Sequence, residues 1–247
     1  MKLIAMIGSR SRSERFPGKA IAELAGVPMI GRIVQRARLV KGFDEIILST
    51  TGLKEDDRLA EMATEYGASR VFRGPETNLL ARRAQCLRAT GATHFVHFSG
   101  DSPFIDVKAC EFFIQSFLAM NDPEIDILAP ISYYANVGAS PYGGNVTATR
   151  KVELDEAFFA RHPEVNINLE SYWSSEATPE YQKEVVPLIR AEYIDFDQFV
   201  PREKTPIKTS IDYPLEMAFW NKVIELYGHY PENIDEIYEA FRTIKEL

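Results

Sequence analysis

Along the first half of the chain, short apolar runs alternate with segments whose apolar residues recur every three or four positions. Leu3 to Ile7 is a continuous apolar run ended by Gly8, the pattern of a parallel strand buried on both faces. Met29, Ile30, Ile33, Val34 and Ala37 then recur at helical spacing, predicting a helix over Pro28–Val40 with proline at its start. Strands are expected at Glu45–Thr50, Val71–Phe72, His94–Ser99 and Asp126–Pro130. Helices are expected at Glu55–Tyr66, closed by Gly67, at Asn78–Thr90, closed by Gly91, and at Val107–Met120. Strict strand–helix alternation predicts an α/β fold with an open, mainly parallel sheet and helices on both faces.

The second half is less periodic. Residues 131–145 are rich in Tyr, Gly, Ser and Pro and read as a long loop. Strands are expected at Val146–Thr149, Val185–Ile189 and Ile207–Ile211, and helices at Leu154–Arg161, Pro214–Tyr227 and Ile234–Leu247. With no linker between two periodic regions, the expectation is a single domain over 1–247 with an insertion at roughly 131–200.

Composition narrows the classes. Hydrophobic residues make up 45% and charged residues 26% of the 247, an ordinary globular balance. No apolar run approaches the ~20 residues of a membrane span, and Leu3 to Ile7 is short for a secretory signal. Cys86 and Cys110, the two cysteines, are too few for a disulfide framework or a zinc cluster. The expectation is a cytoplasmic protein with no membrane partner. Lys and Arg total 28 against 36 Asp and Glu, a net charge of −8, which argues against a nucleic-acid partner. Against that background Arg10, Arg12, Arg15 and Lys19 form a local cationic knot, the means by which an acidic protein gathers a small polyanion.

The knot lies in a loop after the first strand, where ligands of open α/β sheets bind. It is not a phosphate loop of the usual nucleotidase kind: Ser13 stands where the first glycine belongs, and Ala20 follows Lys19. No Gly-x-Gly-x-x-Gly follows the strand either. What remains is Gly8, a set of serine hydroxyls, two or three guanidinium groups and one ammonium, suited to a triphosphate; an exposed basic turn is the bland alternative. Asp101, in the Gly-Asp-Ser-Pro that follows the fourth strand, suits a hard cation, or else merely a turn. Asp212 ends a late strand before Pro214 and reads equally as a helix N-cap.

Taken together, these segments resemble a known family. The Arg-x-x-Ser-x-Arg-x-Pro-Gly-Lys loop at Arg10–Lys19, Arg73-Gly74, Gly100–Pro103 and Ile211–Pro214 occur in the order seen in CTP-dependent cytidylyltransferases of the 3-deoxy-manno-octulosonate, acylneuraminate and spore-coat polysaccharide types. The resemblance covers residues 1–130 and 205–220. It implies a Rossmann-like, GT-A-like sheet and transfer of CMP from CTP to an acidic sugar, or to a small phosphate acceptor, with release of pyrophosphate. It assigns Arg10, Arg15 and Lys19 to the phosphates, Asp101 and Asp212 to magnesium, and Arg73 to the cytosine surroundings. Backbone around Ile7, Gly8 and Ser9 would meet base and ribose, with Ser13 in the phosphate loop. Two departures fall at nucleotide-side positions: Ser99 replaces a glutamine, and Asn78 replaces an acidic residue. The family also implies a homodimer built through part of 131–200. Rival readings are a nucleotide-sugar glycosyltransferase, disfavoured by the lack of an Asp-x-Asp triplet after a first-half strand, and a catalytically silent nucleotide-binding homologue.

Other residues are less informative. His94 and His97, three apart on a strand, point to opposite faces and cannot share a metal. Tyr133, Tyr134, Tyr142, Asn145 and the Gly143-Gly144 pair suit an acceptor pocket, a packed loop or a dimer contact equally.

Overall fold

A computed structural model describes residues 1–131, 144–165, 177–195, 197–199 and 207–245. Seven strands form one sheet in the order β5-β4-β1-β6-β8-β7-β9. They are β1 (Leu3–Gly8), β4 (Glu45–Thr51), β5 (Arg70–Gly74), β6 (His94–Ser99), β7 (Ile127–Ile131), β8 (Val146–Ala148) and β9 (Ala191–Asp195). β2 (Glu23–Leu24) and β3 (Val27–Pro28) form a separate hairpin. Its turn residues Ala25 and Gly26 have φ of 51° and 75°, the doubly positive geometry that matches the twist of a tight hairpin.

Among the described residues eight helices follow in chain order: α1 (Met29–Leu39), α2 (Asp57–Glu65), α3 (Leu79–Thr90), α4 (Val107–Met120), α5 (Thr149–Arg161), α6 (Pro179–Glu184), α7 (Pro214–Tyr227) and α8 (Ile234–Lys245). The apolar run of β1 is buried on both sides of the sheet, as its lack of alternation predicts. Leu3, Ala5 and Ile7 pack with α1, α4, α7 and α8, while Ile4 and Met6 pack with α3 and α5.

β1 pairs in parallel with β4 and β6, and β4 with β5. In that register Gly8 lies opposite both Ser49 and Ser99, and Thr51 lies opposite Gly74. The carboxyl ends of four strands therefore line one edge, and the loops leaving them converge.

Several boundaries differ from the periodicity reading. The strand expected at 185–189 is a 3-10 turn at Val186–Leu188, where Pro187 lacks the N–H a ladder needs, and the strand follows at Ala191–Asp195. Residues 207–211 are not a strand: Ile207 and Ile211 are buried, but in an irregular segment, and burial alone mimics the strand pattern. Pro28 closes the hairpin and precedes α1. β7 does not adjoin β6; β8 lies between them and runs antiparallel to both. β8 and β9, within the expected insertion, belong to the same sheet. The expected strand Val146–Thr149 ends one residue early, α5 begins five residues before the expected start, and α6 was not anticipated.

Asp106 joins the two halves of the helical layer that carries the late segment. It is buried, caps α4 by accepting from Ala109 N at 3.0 Å, and accepts from Ile234 N at 3.1 Å at the start of α8. Asp106→Ala is expected to destabilise the protein by about 2–4 kcal/mol, through a lost cap and an unsatisfied buried amide. Asp106→Asn should lose less. Urea unfolding of both variants checks the order; equal losses would contradict it.

Candidate active site

The loop after β1 is pinned at both ends before any side chain reaches into the crevice. Gly8 O accepts from Gly100 N at 2.8 Å, tying the loop to the end of β6. A side chain at position 8 would collide with His97, whose Nε2 would stand 2.6 Å from the added carbon, so glycine keeps the two loops together. Further along, Ser11 N donates to Asp56 Oδ1 at 2.7 Å. Asp56 is buried and also accepts from the Thr50 hydroxyl at 2.9 Å and from the amide and hydroxyl of Thr51. The turn is closed by Ser13 Oγ accepting from Phe16 N at 3.3 Å and by Gly18 N donating to Ser11 O. Gly18 has φ of 74°, and the 3-10 turn that follows it begins at Lys19 and aims the side chain inward.

Lys19 is where the separate segments meet. Its Nζ lies 3.4 Å from Asp101 Oδ2, 3.3 Å from Asp212 Oδ1 and 3.2 Å from Ile211 O. A backbone bond from Ile211 N to Asp101 O, at 2.8 Å, holds the two acidic segments together directly. Asp101 is oriented by hydroxyls from Ser99 at 2.6 Å and Ser102 at 3.3 Å. Asp212 also meets Arg15 at 3.1 Å and Lys208 at 3.1 Å. Burial pushes the Asp212 carboxyl up, but Lys208 and Lys19 outweigh it and hold the group below the ordinary carboxylate range. The N-cap alternative for Asp212 does not describe this arrangement. Its carboxylate faces the cations, while Glu216 accepts from the amides of Asp212 and Tyr213.

Of the residues singled out by sequence, Arg15, Lys19, Ser99, Asp101 and Asp212 are brought together. Arg10 lies at the other end of the loop, donating to Glu76 O at 3.4 Å. Ser9 N donates to Ser49 O at 3.4 Å, and Ile7 is wholly buried in the ladder, so both frame the site through backbone. Arg73 is directed elsewhere: it pairs with Asp57 of α2 at 2.8 Å and, with that residue, lines a surface cavity of about 600 Å³ beside α2 and β5. Asn78 uses its side chain to cap α3, accepting from Ala81 N at 2.8 Å, which accounts for a non-acidic residue there. His94 and His97 do occupy opposite faces; His94 packs on Phe117 of α4, its ring centroid 5.0 Å away. Tyr133, Tyr134, Tyr142 and Gly143 lie outside the described residues.

Two contributors were not found from sequence. Lys208 carries its signal only as a cation four residues before Asp212. Asp56 sits in an acidic triplet with Glu55 and Asp57, and nothing local distinguishes the buried member.

A divalent cation fits the donor set in the crevice. Two carboxylates supply hard oxygen ligands, and phosphate and water oxygens would complete the shell that magnesium favours. Among the described residues no group of three or more His, Cys, Asp or Glu could hold a metal; Asp101 and Asp212 are the two carboxylates that Lys19 brings together.

Comparison with known proteins places the fold and the family. The sequence model of the cytidylyltransferase family matches residues 4–236. A 3-deoxy-manno-octulosonate cytidylyltransferase from Anaeromyxobacter dehalogenans is 35% identical over 116 residues, 46% of this chain and 46% of that protein. The chain spans about half the length of the curated relatives it matches. A solved cytidylyltransferase from Leptospira borgpetersenii superposes with a TM-score of 0.74 at 20% identity, covering 100% of this chain and 94% of the other. A CMP:2-keto-3-deoxy-manno-octonic acid synthetase complexed with CTP gives a TM-score of 0.57 at 16% identity, covering 91% and 99%.

Asp56 yields a pH test. Burial raises its pKa, but bonds from Thr51, Ser11 and Thr50 more than compensate and leave it below the ordinary 3.8. A depressed folded pKa stabilises in full above the unfolded value and is lost as pH falls through the folded one. Asp56→Asn should therefore be less stable than the parent at neutral pH, with the gap narrowing as the pH falls below 3.8. Urea midpoints across that range decide it; a constant gap would contradict the assignment.

Proposed function

This chain is a member of the cytidylyltransferase family, and we propose that it transfers CMP from CTP to an acidic sugar of the ulosonic-acid class, releasing pyrophosphate with the help of magnesium. The observation that carries the reading is one ammonium, Lys19, touching two carboxylates from distant parts of the sequence at the carboxyl edge of a parallel sheet. The acceptor class rests on relatives, among them 3-deoxy-manno-octulosonate cytidylyltransferases, that match over about half of their length.

The reaction joins an acceptor oxygen to the α-phosphorus of CTP and breaks the bond from that phosphorus to pyrophosphate. The chain's residues would act mainly by positioning and by electrostatic stabilisation, which supply most of the rate in such transfers. Asp101, fixed by Ser99 and Ser102, and Asp212, kept ionised by its cations, would hold the divalent ion. That ion would neutralise phosphate charge and acidify an acceptor hydroxyl. Lys19 and Arg15, which rest on the acids, would turn to phosphate oxygens when a triphosphate enters. Arg10 would meet the same polyanion from the opposite end of the loop, and charge developing on pyrophosphate would be shared between them.

Pyrophosphate release from CTP with a panel of ulosonic acids tests the reading; no release with any member would contradict it. Asp101→Asn and Asp212→Asn are each expected to lower turnover at least ~100-fold while still folding, as a cooperative urea transition would show. Near-normal turnover in either would remove the cation assignment.

A further inference from the structure

Each of the two acids in the crevice is tied back by one oxygen and offers the other. Asp101 Oδ1 accepts from the hydroxyls of Ser99 at 2.6 Å and Ser102 at 3.3 Å, while Oδ2 faces the Lys19 ammonium at 3.4 Å. Asp212 repeats the division with a cation in place of the hydroxyls. Its Oδ1 faces Lys19 at 3.3 Å and Arg15 at 3.1 Å, and its Oδ2 stands 3.1 Å from the ammonium of Lys208. Among the described residues Lys208 pairs with Asp212 and Glu216 and not with Asp101.

Lys208 is itself fixed from two sides. Ile207, Thr209 and Ile211 are buried, which turns Lys208 out of the core. Its ammonium then donates to Glu216 Oε1 at 2.6 Å. Glu216 is an anchored partner: its other oxygen, Oε2, accepts from the amides of Asp212 at 2.6 Å and Tyr213 at 3.1 Å, at the start of α7. One carboxylate thus holds both the backbone of Asp212 and the cation on its side chain. The Tyr213 ring adds its attraction, with the ammonium 5.8 Å from its centroid. The Lys208 side chain is 46% exposed, and ion pairs this open to water add little to stability. The consequence of the arrangement falls on the orientation of Asp212.

We propose that Lys208, anchored by Glu216, is a positioning residue that ties back Oδ2 of Asp212 and so presents Oδ1 alone to the divalent cation. The inference rests on the cation assignment proposed above and adds a residue to it. Lys19 stands between the acids and gives way to an entering ion, whereas Lys208 sits on the other oxygen and stays. Partners that orient a metal-binding side chain commonly govern roughly ten- to a hundredfold of metal affinity. A cation that merely happened to lie beside the site would repel the ion, and its removal would tighten metal binding. Positioning requires the opposite change, so the sign separates the two roles.

The test is binding of manganese(II), followed by loss of the free ion's paramagnetic resonance signal, without CTP and with it against a protein-free blank. Urea unfolding of each unliganded protein runs alongside. Lys208→Met is expected to weaken manganese binding about tenfold or more with little change in urea midpoint. Lys208→Arg, which keeps the charge and the donors, should recover most of the affinity. Unchanged or tighter binding in Lys208→Met would overturn the proposal. So would weaker binding in both variants with a fall in both midpoints, since that marks Lys208 as merely architectural. If Asp101→Asn and Asp212→Asn lose manganese while Lys208→Met keeps it, only this assignment fails. A parent that binds no manganese in either condition removes the cation reading as well.

Discussion

The structure is organised around a repulsion that must be answered. Asp101 and Asp212 converge in one half-buried crevice, where two carboxylates disfavour each other's charge and would raise each other's pKa if left alone. Lys19 answers that repulsion, 82 residues from one acid and 193 from the other. Asp212 nevertheless stays below the ordinary carboxylate range, which shows that the cations prevail over its burial. On the proposed reading, an ion entering between the acids would replace the ammonium and free Lys19 for an anion arriving with it.

The scaffold supplies rigidity where that exchange needs it. Four parallel strand ends fix the loop origins, and the bond from Ile211 N to Asp101 O locks the acidic segments together. Asp56 does the same for the cationic loop, joining Ser11 to the end of β4. The positively charged groups lie along the loop, from Arg10 near Glu76 to Arg15 and Lys19 beside the acids. An extended polyanion fits that distribution better than a compact one does.

Much of this was legible in the residues, and the failures have physical causes. β1 could be read because a strand buried on both faces leaves an unbroken apolar run, and α7 because proline marks its start and Gly228 its end. Its bounds at Pro214 and Tyr227 came out as expected. The segment at 207–211 misled because its isoleucines are buried without pairing in the sheet. The order of β6, β8 and β7 was hidden because periodicity reports burial and not which strand lies alongside. Among site residues, Lys19 and Asp101 announced themselves through motif and position in a loop after a strand, and Asp212 through its motif before Pro214. Asp56 and Lys208 did not, since their roles depend on contacts across the fold. Arg73 shows the converse: its position in a motif was clear, but its guanidinium is drawn to Asp57.

The central claim is that the Lys19 cluster is the resting form of a cation-and-triphosphate site. A crystal structure of the chain with CTP and a divalent cation tests it most directly. The expected result is a cation bound by Asp101 and Asp212, with the Lys19 ammonium moved onto phosphate oxygens. Density for CTP elsewhere, with Lys19 still between the two acids, would contradict the account.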